Sequence, residues 1–432
     1  MSERRFSRRR ALATGLSGVG VALAGCLAEE DDGNGNGSGN GGNGETTGTT
    51  DDDAPTVGIL ENRTGNLALE GTSKHQASLL AIEEINENGG VLGEEVEVFD
   101  PDPRSDNQRY TELTQEAIRD EEVDALWAAY SSAARETIRP LINQHEQLYF
   151  YTTQYEGGVC DKTTFPVGAT ARQQLGAVVP YLIEEYGERI YIIAADYNFG
   201  QLSGEWVNIL AEEEGAEIVG EEYIPLESSS FSSTINNIQG EDPDFIMSML
   251  VGGNHAAFYQ ERAANDLDIP IGSSTTMAQG YEHLRLDPPA LTDMYVGVNY
   301  MQELQTDASQ EFVDAFYEKF PDAEYINQEA QNNYFSVYMW KEAVERAGTF
   351  DQEAVIEELE SGIEVDAPEG PIELDPATHH MTHHMRVAHA DENHEITFDG
   401  EQYIEPTFLH DAGCDLTVES EQTQYEPSDV YE

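Results

Sequence analysis

The sequence predicts an α/β protein built as two Rossmann-like, doubly wound lobes. Short β-rich runs alternate with helical stretches from Thr56 to Leu250. Repeated βα units of this kind imply parallel sheets with helices on both faces. There are too many units for one sheet, and a body running from Ala54 to Glu432 is too long for one ordinary hydrophobic core.

The elements follow in order. Thr56-Val57-Gly58-Ile59-Leu60 is a short strand. A helix runs through Ala77, Leu80, Ala81 and Ile85 and stops at Asn88-Gly89-Gly90, a glycine C-cap signal. Glu95-Val96-Glu97-Val98-Phe99 alternates with the period of a strand. Next come a helix at Thr111 to Arg119, a strand at Ala125 to Ala128, a helix at Ala133 to Gln144 and a strand at Leu148 to Tyr151. The pattern resumes with a strand at Ile190 to Ala194, a helix at Gly200 to Glu214, and strands at Ile218 to Tyr223 and Phe245 to Leu250.

In open α/β sheets ligands bind beyond the carboxyl ends of the strands. Four post-strand segments are therefore candidates: Tyr130-Ser131-Ser132, Thr152-Thr153-Gln154-Tyr155, Asp196-Tyr197-Asn198-Phe199 and Thr275-Thr276-Met277-Ala278-Gln279. All carry hydroxyls, amides or rings, and none carries Lys or Arg. Such a site suits a small, neutral, hydrogen-bonding ligand. Taken singly, Ser131 or Ser132 also reads as a helix N-cap and the tyrosines as core or rim. It is the coincidence of four such loops that favours a site.

The N-terminus reads as an export signal over residues 1–26. Ser7-Arg8-Arg9-Arg10-Ala11-Leu12 precedes an apolar run from Ala13 to Ala24, which is too short for an ordinary transmembrane helix. The paired arginines suit the twin-arginine route. Leu23-Ala24-Gly25-Cys26 resembles the lipobox of secreted lipoproteins, in which the residue matching Cys26 receives the lipid. Residues 27–53, rich in Gly, Asn, Thr and acid, are expected to be a disordered linker. The body is then expected outside the cell membrane, tethered to its outer face.

The chain holds 21 basic and 84 acidic residues, a net charge of −63. That balance argues against nucleic acid as a partner, because phosphates would be repelled. Acid is spread along the whole chain, and lysine occurs only at 74, 162, 319 and 341. The composition resembles proteins of organisms that keep molar salt inside, where salt screens the repulsion within a few ångström. The fold is expected to fail in dilute buffer. Beyond Cys26, Cys160 and Cys414 either pair in a disulfide that ties the C-terminal tail to the body, or stand as two free thiols.

His379-His380-Met381-Thr382-His383-His384 invites a metal reading, since His380 and His384 are four apart. The H-E-x-x-H order of a zinc protease is missing. The run also lies between Ile372-Glu373-Leu374-Asp375-Pro376 and Met385-Arg386-Val387-Ala388, which read as strands, where alternate side chains diverge. A structural or hinge role is expected, with no metal and no cofactor. No Gly-x-Ser-x-Gly elbow surrounds Ser131 or Ser132, so an amide hydrolase is disfavoured. A ligand-sensing regulator conflicts with the export signal.

Ala81-Ile82-Glu83-Glu84-Ile85-Asn86-Glu87-Asn88-Gly89-Gly90-Val91-Leu92-Gly93 resembles the signature of type 1 periplasmic binding proteins of the branched-chain amino acid and amide class. Tyr149-Phe150-Tyr151-Thr152-Thr153-Gln154-Tyr155-Glu156-Gly157 resembles its urea and short-chain amide branch. So do Asp196-Tyr197, Gly220-Glu221-Glu222-Tyr223-Ile224-Pro225-Leu226 and the region of His379-His380, where the family has a His-rich turn. The resemblance implies two lobes joined by three crossovers that close over a ligand. It places lobe I at residues 54–175 plus 300–365 and lobe II at 176–299 plus 366–410, with a tail at 411–432.

It also implies an ABC importer, whose permease and ATPase subunits accept the captured solute. By the same resemblance, Tyr130, Ser132, Tyr151 and Thr153 contact the ligand from lobe I, and Tyr197 and Gln279 from lobe II. Gln279 aligns with a carboxylate that pairs with the ligand's ammonium in amino-acid binders, and Glu282 is the alternative for that role. An uncharged residue there favours urea or an amide, because burying an unpaired ammonium is costly. A branched-chain or other neutral amino acid is the alternative ligand.

Overall fold

In the computed structural model, which describes residues 54–251 and 253–431, the chain alternates strands and helices through two main sheets. The export signal, Cys26 and the 27–53 linker lie outside the described residues. The first sheet takes β1 (Thr56–Leu60), β2 (Glu97–Phe99), β3 (Ala125–Ala128), β4 (Tyr149–Tyr151) and, past the short β5 (Val159–Asp161), β6 (Thr164–Pro166). Its order is β2-β1-β3-β4-β6, with every neighbouring pair parallel. Helices α1 (Ala68–Glu87), α2 (Asn107–Arg119) and α3 (Ser132–His145) are its crossovers.

The second sheet begins after α4 (Ala171–Tyr186). It takes β7 (Arg189–Ala195), β8 (Glu217–Ile224), β9 (Phe245–Met249), β10 (Ile271–Ser273) and β11 (Met294–Val298), linked by α5 (Asn198–Glu214), α6 (Ser232–Glu241), α7 (Gly253–Ala264) and the one-turn α8 (Glu282–Arg285). The chain then adds α9 (Asp307–Lys319), α10 (Gln328–Ala347) and α11 (Gln352–Leu359). It returns through β12 (Glu364–Ala367), β13 (Gly370–Leu374), β14 (Met381–Ala390) and β15 (Ile396–Ile404), and ends in α12 (Thr407–Ala412) and β16 (Gln422–Gln424). The nine-stranded path β12-β13-β14-β11-β10-β9-β7-β8, with β15 beside β14, is parallel from β11 to β8 and antiparallel on the other side.

Both sheets are doubly covered, and the alternation of side chains shows it. In β1, β3 and β4, residues Val57, Ile59, Ala125, Trp127 and Phe150 enter one core. Leu60, Leu126, Ala128, Tyr149 and Tyr151 enter the core on the other face. β7 splits the same way, with Ile190, Ile192 and Ala194 on one side and Tyr191 and Ile193 on the other. Period-two alternation between two apolar cores is what a sheet buried on both faces requires. In the first core Trp127 stacks on Phe150, with ring centroids 4.8 Å apart, and meets Trp340 of α10 edge-on at 6.1 Å.

The chain passes between the core of the first sheet and those of the second three times: after β6, after β11, and at β14. Val365, Ala367, Ile372, Leu374 and Met381 pack in the first core, whereas Val387, Ala388 and Ala390 pack in those of the second sheet. β14 thus carries the third passage along its own length. Cys160 in β5 and Cys414 form a disulfide, and β16 pairs antiparallel with β5. The tail is thereby fastened to the segment between β4 and β6, while Phe408 and Tyr431 pack edge-on against Trp206 of α5.

Candidate functional site

The carboxyl ends of the first sheet deliver the predicted residues to one place. Ser131 caps α3, its Oγ accepting from Ala134 N–H at 3.2 Å. That capping leaves Ser132, the first helical residue, to donate to Glu156 Oε2 at 2.5 Å. The Tyr151 hydroxyl donates to the Tyr130 carbonyl at 2.8 Å. Thr153 Oγ1 accepts from Lys74 Nζ at 2.9 Å. Ser132, Tyr151 and Thr153 are buried, and Tyr130 is half-buried.

Charged partners absent from the post-strand loops stand behind these residues. Lys74 projects from α1, fully buried, and pairs with the fully buried Glu61 at 3.0 Å. It also donates to the Ala129 carbonyl at 3.1 Å and lies 5.5 Å from the Tyr130 ring centre. Arg135 from α3 pairs with Glu156 at 2.8 Å and lies over the rings of Tyr151 and Tyr155 at 4.9 and 4.6 Å. Both cations are neutralised by a buried carboxylate, so neither presents an unmatched charge to a ligand. Lys74 had a signal in the sequence. It is one of four lysines, and it falls on the face of α1 that also buries Ala77, Ser78 and Ala81.

The second sheet contributes from its own carboxyl ends. Tyr197, half-buried at the start of α5, lies within electrostatic reach of Glu156, and burial lifts its hydroxyl well above the ordinary tyrosine range. Tyr130 is flanked by Glu329, Glu70, Tyr151 and Tyr197. The two sets of loops also meet directly. Trp206 Nε1 donates to the Glu156 carbonyl at 3.1 Å, and the Gln328 N–H donates to the Ala278 carbonyl at 3.0 Å. Gln279, next in that loop, is 7% exposed. Glu282 is committed elsewhere: its Oε2 accepts the Met277 N–H at 2.6 Å and its Oε1 faces His255 Nδ1 at 3.4 Å. Burial works to raise its pKa, but these partners outweigh it and hold it below the usual carboxylate range.

Two further carboxyls were not anticipated. Glu329 sits in the first turn of α10, beside the Asn327 cap, with no exposed surface. Glu70 sits in the first turn of α1, and its carbonyl accepts from Asn327 Nδ2 at 3.0 Å. One oxygen of each, Glu329 Oε2 and Glu70 Oε2, has no hydrogen-bond partner among the described residues. Burial pushes Glu329 up to about 8, with Glu70 adding in the same direction against its own helix-terminal N–H and Lys74. Burial pushes Glu70 up to about 7, with Glu282 adding.

The histidine cluster lies at the third passage between the sheets, and its members diverge. His379 stacks on Phe165 at 4.1 Å and faces Glu360 at 2.9 Å. His380 Nε2 meets the Tyr155 hydroxyl at 2.5 Å, and burial lowers its pKa to about 4. His383 faces Glu369 at 3.0 Å and His384 faces Glu401 at 2.9 Å. Among the described residues no group of three or more His, Cys, Asp or Glu is placed to hold a metal ion.

Comparison with known proteins agrees with this architecture. Residues 55–395 match the family model described as periplasmic binding protein. Leu/Ile/Val-binding protein homolog 6 of Brucella abortus is 22% identical over 351 residues, covering 79% of this chain and 89% of that protein. Among solved structures, a Rhodopseudomonas palustris solute-binding protein of an ABC transporter, in complex with 3,4-dihydroxybenzoic acid, gives a TM-score of 0.72 at 19% identity. That match covers 82% of this chain and 98% of the other. The branched-chain amino acid transporter substrate-binding protein LivJ of Streptococcus pneumoniae, in complex with isoleucine, gives 0.71 at 16% identity, covering 82% and 99%. The family model spans nearly the whole described body and the fold is shared with these solved structures, so this chain belongs to the periplasmic binding protein family.

Proposed function

We propose that this protein is the extracytoplasmic receptor of an ABC importer and that it captures urea or a short aliphatic amide. Two lobes, 54–175 plus 300–365 and 176–299 plus 366–410, close over the ligand about the three passages. The tail 411–432 fastens to the body. Binding favours the closed state through the contacts made only there, and that state docks on the permease that works with the ATPases. The twin-arginine signal exports the chain, Cys26 carries the lipid anchor, and residues 27–53 supply the slack. No covalent chemistry takes place.

One observation carries the choice of ligand. The cations near Tyr130, Tyr151 and Thr153 are each paired with a buried carboxylate, Lys74 with Glu61 and Arg135 with Glu156, and Glu282 near Gln279 is held by His255 and a backbone N–H. The hydroxyls and amide offered beside them are neutral and hydrogen-bonding, which suits an amide and disfavours an ammonium. A neutral amino acid of the Leu/Ile/Val kind is the second reading, favoured by the name of the Brucella relative. Calorimetric titration in molar salt with urea, acetamide, formamide and leucine separates them. Heat from amides alone supports the first reading, and heat from leucine alone reverses it. The salt requirement rests on the net charge of −63. Circular dichroism showing an intact fold in dilute buffer would remove it.

A further inference from the structure

Buried carboxyls in this molecule are, with few exceptions, surrounded by donors. Glu156 accepts from Ser132, Arg135 and Gln424, and Glu369 from Asn299, Gln331, His383 and the His384 N–H. Glu329 departs from that rule. It is fully buried where the start of α10 meets the loop after β10, next to the Gln328–Ala278 contact and in the field of Tyr130. Its Oε1 takes a long contact from Gln328 Nε2 at 3.4 Å, and Oε2 has no partner among the described residues. The Oε1 of Gln328 is likewise buried and unpartnered. A native structure does not normally leave such atoms without a use.

We propose that Glu329 in its protonated form, supported by Glu70, is a ligand-binding group that holds a primary amide or urea by a paired hydrogen bond. The carboxylic O–H donates to the ligand carbonyl, and the carboxylic C=O accepts from the ligand N–H₂. This inference rests on the amide reading above. A neutral carboxylic acid is the hydrogen-bonding complement of an amide, offering one donor and one acceptor side by side. An ionised carboxylate has no donor and cannot make the pair.

The groups that face Glu329 decide its protonation. Glu70 of α1 opposes ionisation. Lys74 of α1 favours it but is already paired with Glu61. Tyr130 from the β3–α3 loop stays neutral. Glu282 and Arg285 act on Glu70 with opposite signs. With burial dominant, the acid keeps its proton through neutral pH.

The test is calorimetric titration of the full chain with acetamide and urea in molar potassium chloride from pH 6 to pH 9.5. Expected are a plateau up to about pH 8 and then a loss of affinity of about tenfold per pH unit as Glu329 ionises. Glu329→Leu, which offers neither donor nor acceptor, should weaken binding at least tenfold at pH 7. Glu329→Gln, a neutral isostere with a donor and an acceptor, should recover most of that loss and flatten the profile. A flat wild-type profile, or a sloping one that Glu329→Gln leaves in place, overturns the inference while the amide reading stands. Affinity that rises with pH means the ionised carboxylate, accepting from the ligand N–H, is the binding form, and also overturns it. Failure of both amides to bind while leucine binds overturns the inference and the amide reading together.

Discussion

Glu369 and Glu329 are both almost completely buried glutamates, yet their surroundings push them in opposite directions. Glu369 lies at the β12–β13 turn, beside the start of β14. Four donors from three stretches of chain reach it: Asn299, Gln331, and His383 with the backbone of His384. Burial alone would raise its pKa, but His383 and the amide donors outweigh it, and the carboxyl stays below the usual range. Glu329 has burial with only its own N–H and a long Gln328 contact as donors against it, and sits at about 8. The carboxyl of Glu369 is matched by donors within the chain. The carboxyl of Glu329 keeps one oxygen without a partner among the described residues, which is the contrast the proposed ligand contact rests on.

Substitutions put numbers on that contrast. Glu369→Ala leaves His383 and two side-chain amides without their acceptor and should cost about 3–5 kcal/mol of stability, read from denaturant melts in molar salt. A cost under about 1 kcal/mol would erase the distinction. Glu329→Gln should stabilise the unliganded protein instead. The native pKa of about 8 lies above the unfolded value of 4.5, so folding takes up a proton in between. The contribution is fully present below about pH 4.5 and is lost as pH rises through about 8. Removing it should raise stability at pH 8, relative to pH 5, by about 3–4 kcal/mol. An unchanged pH slope would contradict the assignment.

Ser132→Ala takes one of several donors from Glu156 and should cost about 1 kcal/mol in the same melts, since Arg135 remains. His384→Gln at the exposed margin of the passage weakens a pair with Glu401, whose side chain is 51% exposed. Its effect should stay within about 0.5 kcal/mol. A larger loss would extend the matched network out to the surface.

The sequence disclosed the parallel parts well and the antiparallel part poorly, for a physical reason. β1, β3, β4, β7 and β9 are apolar runs bounded by turn residues because both faces are covered. β15 reads Ile396-Thr397-Phe398-Asp399-Gly400-Glu401-Gln402-Tyr403-Ile404 and is mostly exposed, so its composition resembles a loop. β12 and β16 are short, and alternating or polar. For the site, the post-strand loops were legible because topology alone selects them. Arg135, Glu70 and Glu329 were not, because each reaches the candidate site from a helix and is one charged residue among many, whereas Lys74, one of four lysines, had a signal that was not used. The absence of Lys and Arg from the loops was real, yet the site still contains two cations, each held from behind.

The most direct test of the account is the ligand itself. Titration of the full chain at pH 7 in molar salt with acetamide, urea and leucine should give saturable heat for an amide or urea and none for leucine. Saturable heat for leucine, with none for either amide, would contradict the account at its centre.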